Sequence, residues 1–476
     1  MDSSKSNKVL IAGAGPAGLT AAYELCKRNA TPIVFEKENI VGGHARTDEF
    51  RGYRFDIGGH RFFTKITQVN QIWHEVLGDK FMRCPRLSRI YYNGKFFYYP
   101  LKMGNVIFGL GLWNSFLILM SFLRSALFPY PKEDNLEQWV SNRFGKRLYL
   151  TFFKTYTEKV WGIPCDQIRA EWAAQRIQGL SLRTAVMNAV FGGTKKHIKS
   201  LIEEFHYPEL GPGMMWETMG NHVKGHGGQV HMNRDVLKIH RRGNRVVAFT
   251  VGNHDSQEYV EGSQFIASMP ITEVIARLDP APPPEVIKAA GQLRYRDFLT
   301  VCVIVDHPDL FPDNWIYVHS PEVIMGRLQN FKNWSRGMVP DQSKSSLGAE
   351  YFVNENETLW NMADEDLVQL AARELETVGL TKGAKIEGGA VYRQKKAYPV
   401  YDETYSQHLV IIERFMKSLE NLHMIGRNGL HKYNNQDHSM LTAILAVENI
   451  YGANHDIWAV NSDQSYHEEA VEEKVS

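Results

Sequence analysis

An α/β architecture, with a parallel sheet interrupted by a mixed insertion, is predicted by three features of this sequence. Residues 8–13 (KVLIAG) form a short apolar run, the pattern of a strand buried on both faces. A helical pattern follows over 16–28, with Ala21, Ala22 and Leu25 on its apolar side, and 31–36 (TPIVFE) supplies a second strand. Together they make a βαβ unit, whose strands run parallel. The third feature lies downstream, where the pattern changes character. Residues 66–210 read as mixed and largely helical, rich in aromatics (WVSNRF, TFFKTYTEKVWG, AEWAAQRI). Residues 228–239 and 245–251 alternate like paired strands across the turn-forming RRGN. A strand-like FIASMP, a proline-rich crossing DPAPPPE at 279–285, and a strand and helix region over 293–390 come next. The chain then offers HMIGRNG, a strand entering a glycine turn, and the helix LTAILAVENIYG. No internal repeat is evident.

Bulk composition narrows the class. A chain of 476 residues exceeds one simple core and suits two or three interlocked domains. Its 43% hydrophobic and 22% charged content is that of a folded globular protein. A formal charge of +1 gives no global attraction to nucleic acid, so any anion site must be a local cluster. Cys26, Cys84, Cys165 and Cys302 are scattered without a CxxC pair, which argues against a disulfide framework and a zinc site. The polar tail before Lys8 leaves no room for a secretory signal, so a cytoplasmic location is expected. One segment stands apart: 106–123 reads VIFGLGLWNSFLILMSFL. The first expectation is a buried helix of the substrate domain. The alternative is a monotopic patch at the inner membrane face, beside a lipid-linked substrate. A transmembrane span comes last.

The densest motif is Gly13-Ala14-Gly15-Pro16-Ala17-Gly18, a GxGxxG set between strand and helix. Gly13 permits the tight turn, Gly15 lets the backbone approach a pyrophosphate, and Gly18 lets helix pack on strand. The helix N-terminus offers N–H groups and its positive dipole end to phosphates. Glu36 closes the second strand, where a carboxylate can accept from a ribose diol. The dinucleotide could be FAD or NAD. Val41-Gly42-Gly43-His44-Ala45-Arg46-Thr47 decides, because it resembles the GGxxxT element of the amine oxidase and protoporphyrinogen oxidase superfamily of FAD proteins. Arg46 can reach a phosphate.

A closer resemblance rests on four further stretches. Phe55-Asp56-Ile57-Gly58-Gly59-His60-Arg61-Phe62-Phe63-Thr64 resembles the histidine loop of UDP-galactopyranose mutases, although Phe63 stands where some of them carry a second His. Tyr156-Thr157-Glu158-Lys159-Val160-Trp161-Gly162 is similar to their YTxKxWG stretch, followed by Arg176 and Arg183. Leu293-Arg294-Tyr295-Arg296-Asp297 resembles their LxYRS element. Gly426-Arg427-Asn428-Gly429, Tyr433 and Asn435-Gln436-Asp437-His438 resemble their GRxGxYxYxDMDQ region, with NNQDH in place of YDMDQ. Tyr398-Pro399 resembles the family's YP segment, and Tyr405 follows it. Residues 314–352 have no counterpart, so the chain reads as a divergent relative.

The resemblance implies a Rossmann-type, glutathione-reductase-like FAD domain from 1–65, 215–275 and 395–465. It is interrupted by a mainly helical cap at 66–214 and a mixed α/β substrate domain at 276–394, with a flexible tail at 466–476. The implied FAD site takes Gly13, Gly15, Pro16, Ala17, Gly18, Glu36, Lys37, Gly43, His44, Ala45, Arg46, Gly58, Gly59, His60, Val236, Gly426, Arg427, Asp437, His438, Ser439 and Met440. His60, Arg183 and Arg296 are the implied catalytic residues, and Arg176, Trp161 and Tyr405 the implied substrate contacts; no metal is expected. Two arginines converging on one pocket suit a diphosphate, whereas the plainer reading pairs each with a surface acid. Tyr156, Trp161 and Trp216 could stack on a ring or simply be core. The implied activity is a mutase-like ring-size change of a nucleotide-linked sugar, in which reduced flavin supplies the nucleophile and no net redox occurs. The alternatives are an FAD oxidoreductase acting on a sugar, amine or lipid, and a non-enzymatic binding protein like the GDP dissociation inhibitors. The partner is then a small molecule and not nucleic acid, and a homo-oligomer is an open expectation.

Overall fold

The computed structural model describes residues 8–99, 101, 103–170, 204–253 and 255–461, so Arg176, Arg183 and the tail at 466–476 lie outside the described residues. The predicted βαβ unit is present: β1 (Val9–Ala12), α1 (Pro16–Lys27) and β2 (Ile33–Phe35). All four residues of β1 are buried, as a strand covered on both faces requires. It pairs in parallel with β2 on one side and with Gln264–Ala267 on the other. Leu422–Met424 and Gln229–His231 extend this into a five-stranded, all-parallel sheet. α1 packs against helices Gly213–Gly225 and Gln436–Ile450, so three chain segments far apart in sequence close one core.

The paired strands of the middle region are found as Asp235–Arg242 against Arg245–Gly252, antiparallel, inside a four-stranded sheet. The run 228–239 is not one strand. Gln229–His231 joins the parallel sheet, and the chain turns at Asn233, in a left-handed conformation, before entering the second sheet.

The largest sheet has seven strands, in the order Ile386–Pro399, Tyr295–Val305, Ser345–Val353, Arg327–Asn330, Trp315–Val318, Ser88–Tyr92 and Lys95–Tyr98. Its last two strands come from the segment read as a helical cap. Residues 66–214 and 276–394 therefore share one sheet and are not structurally separate. Helices over 103–161 cover the end of the sheet that Ser88–Tyr98 forms, through a cluster with Ile90, Phe97, Val106, Ile118 and Phe152.

The expectation of a buried helix at 106–123 is corrected. The segment forms two helices, Met103–Leu110 and Leu112–Leu127, which meet at an angle of 118°. Only Val106, Ile118 and Phe122 of this pair are buried hydrophobics, whereas Phe108 is 85% exposed and Trp113 70%. Among the described residues no single helix is long and apolar enough to cross a membrane.

Candidate functional site

The loop after β1 is shaped by its glycines. Gly13 turns with φ +101° and donates its N–H to Phe35 O at 2.8 Å, which ties the turn to β2. A Cβ on Gly18 would stand 1.9 Å from Gly13 O, so helix and turn approach as only glycine allows. Gly15 faces Gly43 across a gap in which a Cβ on either would reach the other's Cα at 3.8 or 3.3 Å. Pro16 opens α1, whose first turn holds no acid; the N–H groups of Ala17 and Gly18 stand where no intrahelical acceptor exists. Gly426 packs behind this turn, its Cβ position 3.0 Å from Ala17 Cβ.

Glu36 is buried at the end of β2. Its carboxylate accepts from Ala14 N at 2.7 Å and Glu38 N at 3.0 Å, one bond per oxygen. Burial raises its pKa, and those two N–H groups act against the rise. Each oxygen keeps a lone pair for a diol.

These groups line one end of a cleft of about 970 Å³. Of the predicted cofactor residues, Gly13, Gly15, Pro16, Ala17, Glu36, Lys37, Gly43, His44, Ala45, Arg46, Gly58, Gly59, His60, Val236, Gly426, Arg427, Asp437, His438 and Ser439 all line it. Gly18 does not; its work is the helix–turn contact. Met440 is corrected to a core residue, fully buried, its sulfur accepting from Trp73 Nε1 at 3.0 Å. Trp216 is core as well, edge-on to Trp73.

The cradle fits FAD's adenosine and pyrophosphate. It offers a glycine gap that bare backbone lines, unused helix N–H groups, and a buried acid at the strand end. The isoalloxazine end would lie toward the histidine loop. His60 Nε2 lies 2.8 Å from Ile57 O, and burial holds its ring down to about 4. His44 is held down to about 3, first by burial and then by Arg427, so both rings are neutral at pH 7.

Beyond that loop the cleft becomes a chamber that the sequence did not reveal. Arg327 lines its floor and is backed by a buried network: it pairs with fully buried Glu350, and Gln329 Nε2 donates to the second Glu350 oxygen at 2.8 Å. Burial is the largest influence on Arg327 and works against its charge, but Glu350 together with Tyr398, Tyr156 and Tyr317 outweighs it and raises the guanidinium's pKa. Arg327 Nη2 reaches Tyr398 OH at 3.4 Å. Tyr156 stacks on His319 with ring centres 4.6 Å apart and stands edge-on to Tyr317. Tyr398 and Tyr433 close the wall, with the Arg427 guanidinium 4.0 Å over Tyr433. Arg427 has no carboxylate partner among the described residues, donating instead to Ala397 O and Asn434 O. Trp161 lines this part of the cleft, edge-on to Tyr398. The one signal available in the sequence was the alternation of Arg327 and Gln329; that Glu350 stands opposite Arg327 is set by strand register.

Arg296, expected to be catalytic, and Tyr405, expected to touch substrate, are placed elsewhere. Arg296 does not line the cleft. Its guanidinium pairs with Glu357, donates to Phe352 O at 2.6 Å, and sits directly beneath Gly162, whose Cβ would stand 2.6 Å from Arg296 Cζ. The glycine of YTEKVWG thus makes room for the arginine of LRYRD, a structural reason for both motifs. Tyr405 stacks on Tyr401, 4.5 Å between centres, away from the cleft walls.

A sequence model of the flavin-containing amine oxidoreductases matches residues 16–386. A 1-hydroxycarotenoid 3,4-desaturase of Flavobacterium sp. (strain P99-3) is 26% identical over 286 residues, 52% of this chain and 55% of that protein's length, so the match spans about half of it. Among solved structures, reduced UDP-galactopyranose mutase superposes with a TM-score of 0.84 at 20% identity, covering 97% of this chain and 100% of its own. A protoporphyrinogen oxidase-like protein from Exiguobacterium sp. 255-15 gives 0.68 at 18% identity, covering 94% and 99%. At these identities the structures show a common fold.

Proposed function

The chain belongs to the flavin-containing amine oxidoreductases and is an FAD-dependent enzyme, and from that premise we propose that it transforms a sugar carried on a diphosphate, changing the sugar ring without net redox. One observation carries this reading: the chamber past the histidine loop is built of hydroxyls and a compensated guanidinium. Tyr156, Tyr317, Tyr398 and Tyr433 surround Arg327, which Glu350 and Gln329 back from behind the wall. A polyol can exchange hydrogen bonds with the tyrosine hydroxyls of such a lining, whereas a wholly apolar substrate would bury them without that gain.

FAD, when bound and reduced, supplies a nucleophilic ring nitrogen at the cofactor face of the chamber. This chain's own residues do the positioning. Arg427, free of any carboxylate among the described residues, is the cation suited to a phosphate oxygen. Neutral His60, anchored at Ile57 O, holds the loop between cofactor and chamber. Tyr398, its pKa raised to about 12 by burial, remains a hydrogen-bond donor throughout the physiological range. The Arg327–Glu350 pair keeps the floor rigid and neutral.

A second reading draws on the apolar end of the same cleft, where Ile90, Leu101, Phe152 and Phe153 lie. It is oxidation of a lipid-like substrate, in keeping with the desaturase resemblance. One assay separates them. Dithionite-reduced enzyme is supplied with UDP-galactopyranose and related diphosphate sugars, and product and flavin oxidation state are both followed. Isomerised sugar with the flavin still reduced is the expected result. No isomerised sugar, with oxidised enzyme instead reduced by a polyene lipid and reoxidised by an acceptor, one flavin per product, would replace it with the oxidoreductase reading.

A further inference from the structure

The helix pair at 103–127 is inverted relative to a helix of a water-facing surface. On Leu112–Leu127 the exposed side chains include Leu112, Trp113, Phe116, Met120, Leu123 and Leu127, a single stripe at helical spacing. Phe108 on the first helix and Phe128 beyond the second add to the same exposed apolar surface. Polar side chains of the pair are bonded within the protein instead. Asn114 Oδ1 accepts from Arg147 at 3.1 Å, Ser121 Oγ accepts from Arg147 N at 3.0 Å, and Ser115 Oγ donates to Gly111 O at 2.9 Å. A patch of this extent on a folded protein marks an interaction site.

Charge says what covers it. From Lys80 to Lys132 the sequence contains no Asp or Glu, while Lys95, Lys102, Arg124 and Lys132 flank the apolar stretch. Lys95, Arg124, Lys132 and Arg147 are exposed around the pair. Cations predominate on this rim, although exposed Glu133 and Asp134 follow Lys132 and Glu133 pairs with Arg143, and an apolar face so rimmed suits a leaflet bearing anionic headgroups. Neither helix spans a bilayer by itself, since sixteen residues give about 24 Å against a ~30 Å hydrocarbon core, and the 118° bend at Gly111 suits two helices lying in one interface.

We propose that helices Met103–Leu110 and Leu112–Leu127 form a monotopic docking surface for an anionic lipid leaflet, which brings the cleft beside that leaflet. Tyr99 and Leu101, which line the cleft, pack with Leu110 on the apolar cluster that holds Val106 and Ile118 beneath the pair. Docking face and cleft thus share a wall, and the surface stands whichever reaction the cleft performs.

The test is flotation of the FAD-loaded full chain with vesicles of phosphatidylcholine containing about 30% phosphatidylglycerol, compared with phosphatidylcholine alone. The chain is expected to float with the anionic vesicles, and more weakly with the neutral ones or at high salt. A Trp113→Glu, Phe116→Glu variant is expected to lose about tenfold or more of that binding while keeping its FAD and its melting temperature, since both positions are exposed. As a second readout, brominated acyl chains should quench the fluorescence of wild-type protein more than that of Trp113→Phe. No flotation, or equal flotation of the charged variant, overturns the proposal. A concentration-dependent dimer that the variant disperses, with no vesicle binding, would assign the face to a second copy of the chain instead.

Discussion

The two halves of the cleft are built on opposite principles. The cradle at 13–60 is made of backbone: glycines whose missing side chains leave room, and helix N–H groups left without partners. The chamber is made of side chains delivered by separate elements, with Tyr156 from one helix and Tyr317, Arg327, Glu350 and Tyr398 from four strands of one sheet. A site of the first kind is broken by adding atoms and one of the second kind by removing them. The largest effect should come from adding. Gly15→Val fills the gap facing Gly43 without touching the packed core, and is expected to leave a folded chain whose FAD affinity has dropped about 100-fold or more. Flavin absorbance per chain, read beside the melting temperature, checks it. Gly18→Ala, with its Cβ 1.9 Å from Gly13 O, should by contrast cost the fold itself.

The chamber should respond in the reverse sense. Arg327→Ala strands the carboxylate of Glu350, fully buried, without its cation, and should cost about 3–5 kcal/mol in urea unfolding. Replacing both partners by Met should recover most of that loss, because the pair's own net contribution is small once both charges are gone. A loss below about 1 kcal/mol for Arg327→Ala alone would mean that water reaches Glu350 and that the floor is not dry.

The same contrast explains what could be read from the sequence. Cradle, βαβ unit and terminal acid are local: Gly13 to Glu36 lie within one unit, and each position has a backbone reason visible in its neighbours. Arg327 and Glu350 meet through strand register, and a one-residue slip would turn both away from the cleft. Nothing in the local sequence around Arg327 announces that register. The 106–123 run was legible as apolar but not as exposed, because Gly111 breaks it where a continuous helix was the simpler reading. Met440 falls outside the cleft for a related reason. It belongs to a helix that faces the cleft through its first turn and Leu441, while Met440 itself points to the other side, at Trp73.

Arg296 sharpens the contrast, being legible as a motif yet structural in its contacts. Arg296→Ala should leave UDP affinity unchanged and lower stability by about 1–3 kcal/mol. That range is set chiefly by the Phe352 carbonyl and the space under Gly162, since Glu357 is partly solvent-screened. Isothermal titration beside denaturation separates the two effects. A fall in UDP affinity with stability intact would return Arg296 to the site.

The one pH-dependent effect sits between the two regions, at Asp56, which ends the strand leading into the histidine loop. Its buried carboxyl takes hydrogen bonds from Tyr207 OH and from Thr47 Oγ1, the latter at 2.8 Å, and Thr47 in turn accepts from Gly213 N at 2.9 Å. Burial raises its pKa to about 7 from 3.8, against the lowering by Tyr207 and Thr47. The sign follows from proton counting. Between pH 4 and 7 the unfolded chain has released this proton and the folded chain still holds it, so its contribution to stability is complete below about 4 and is lost as pH rises through 7. Asp56→Asn keeps the acceptor oxygen and cannot titrate. The stability of wild type relative to Asp56→Asn should therefore decline across that window by roughly 4 kcal/mol, about three pKa units at ~1.4 kcal/mol each, with the shared histidine contributions cancelling in the difference. Thermal melts of both proteins in one buffer series measure it. Parallel curves would mean that Asp56 is already ionised when folded, its two hydroxyl donors outweighing burial, and that a charge lies between cradle and chamber after all.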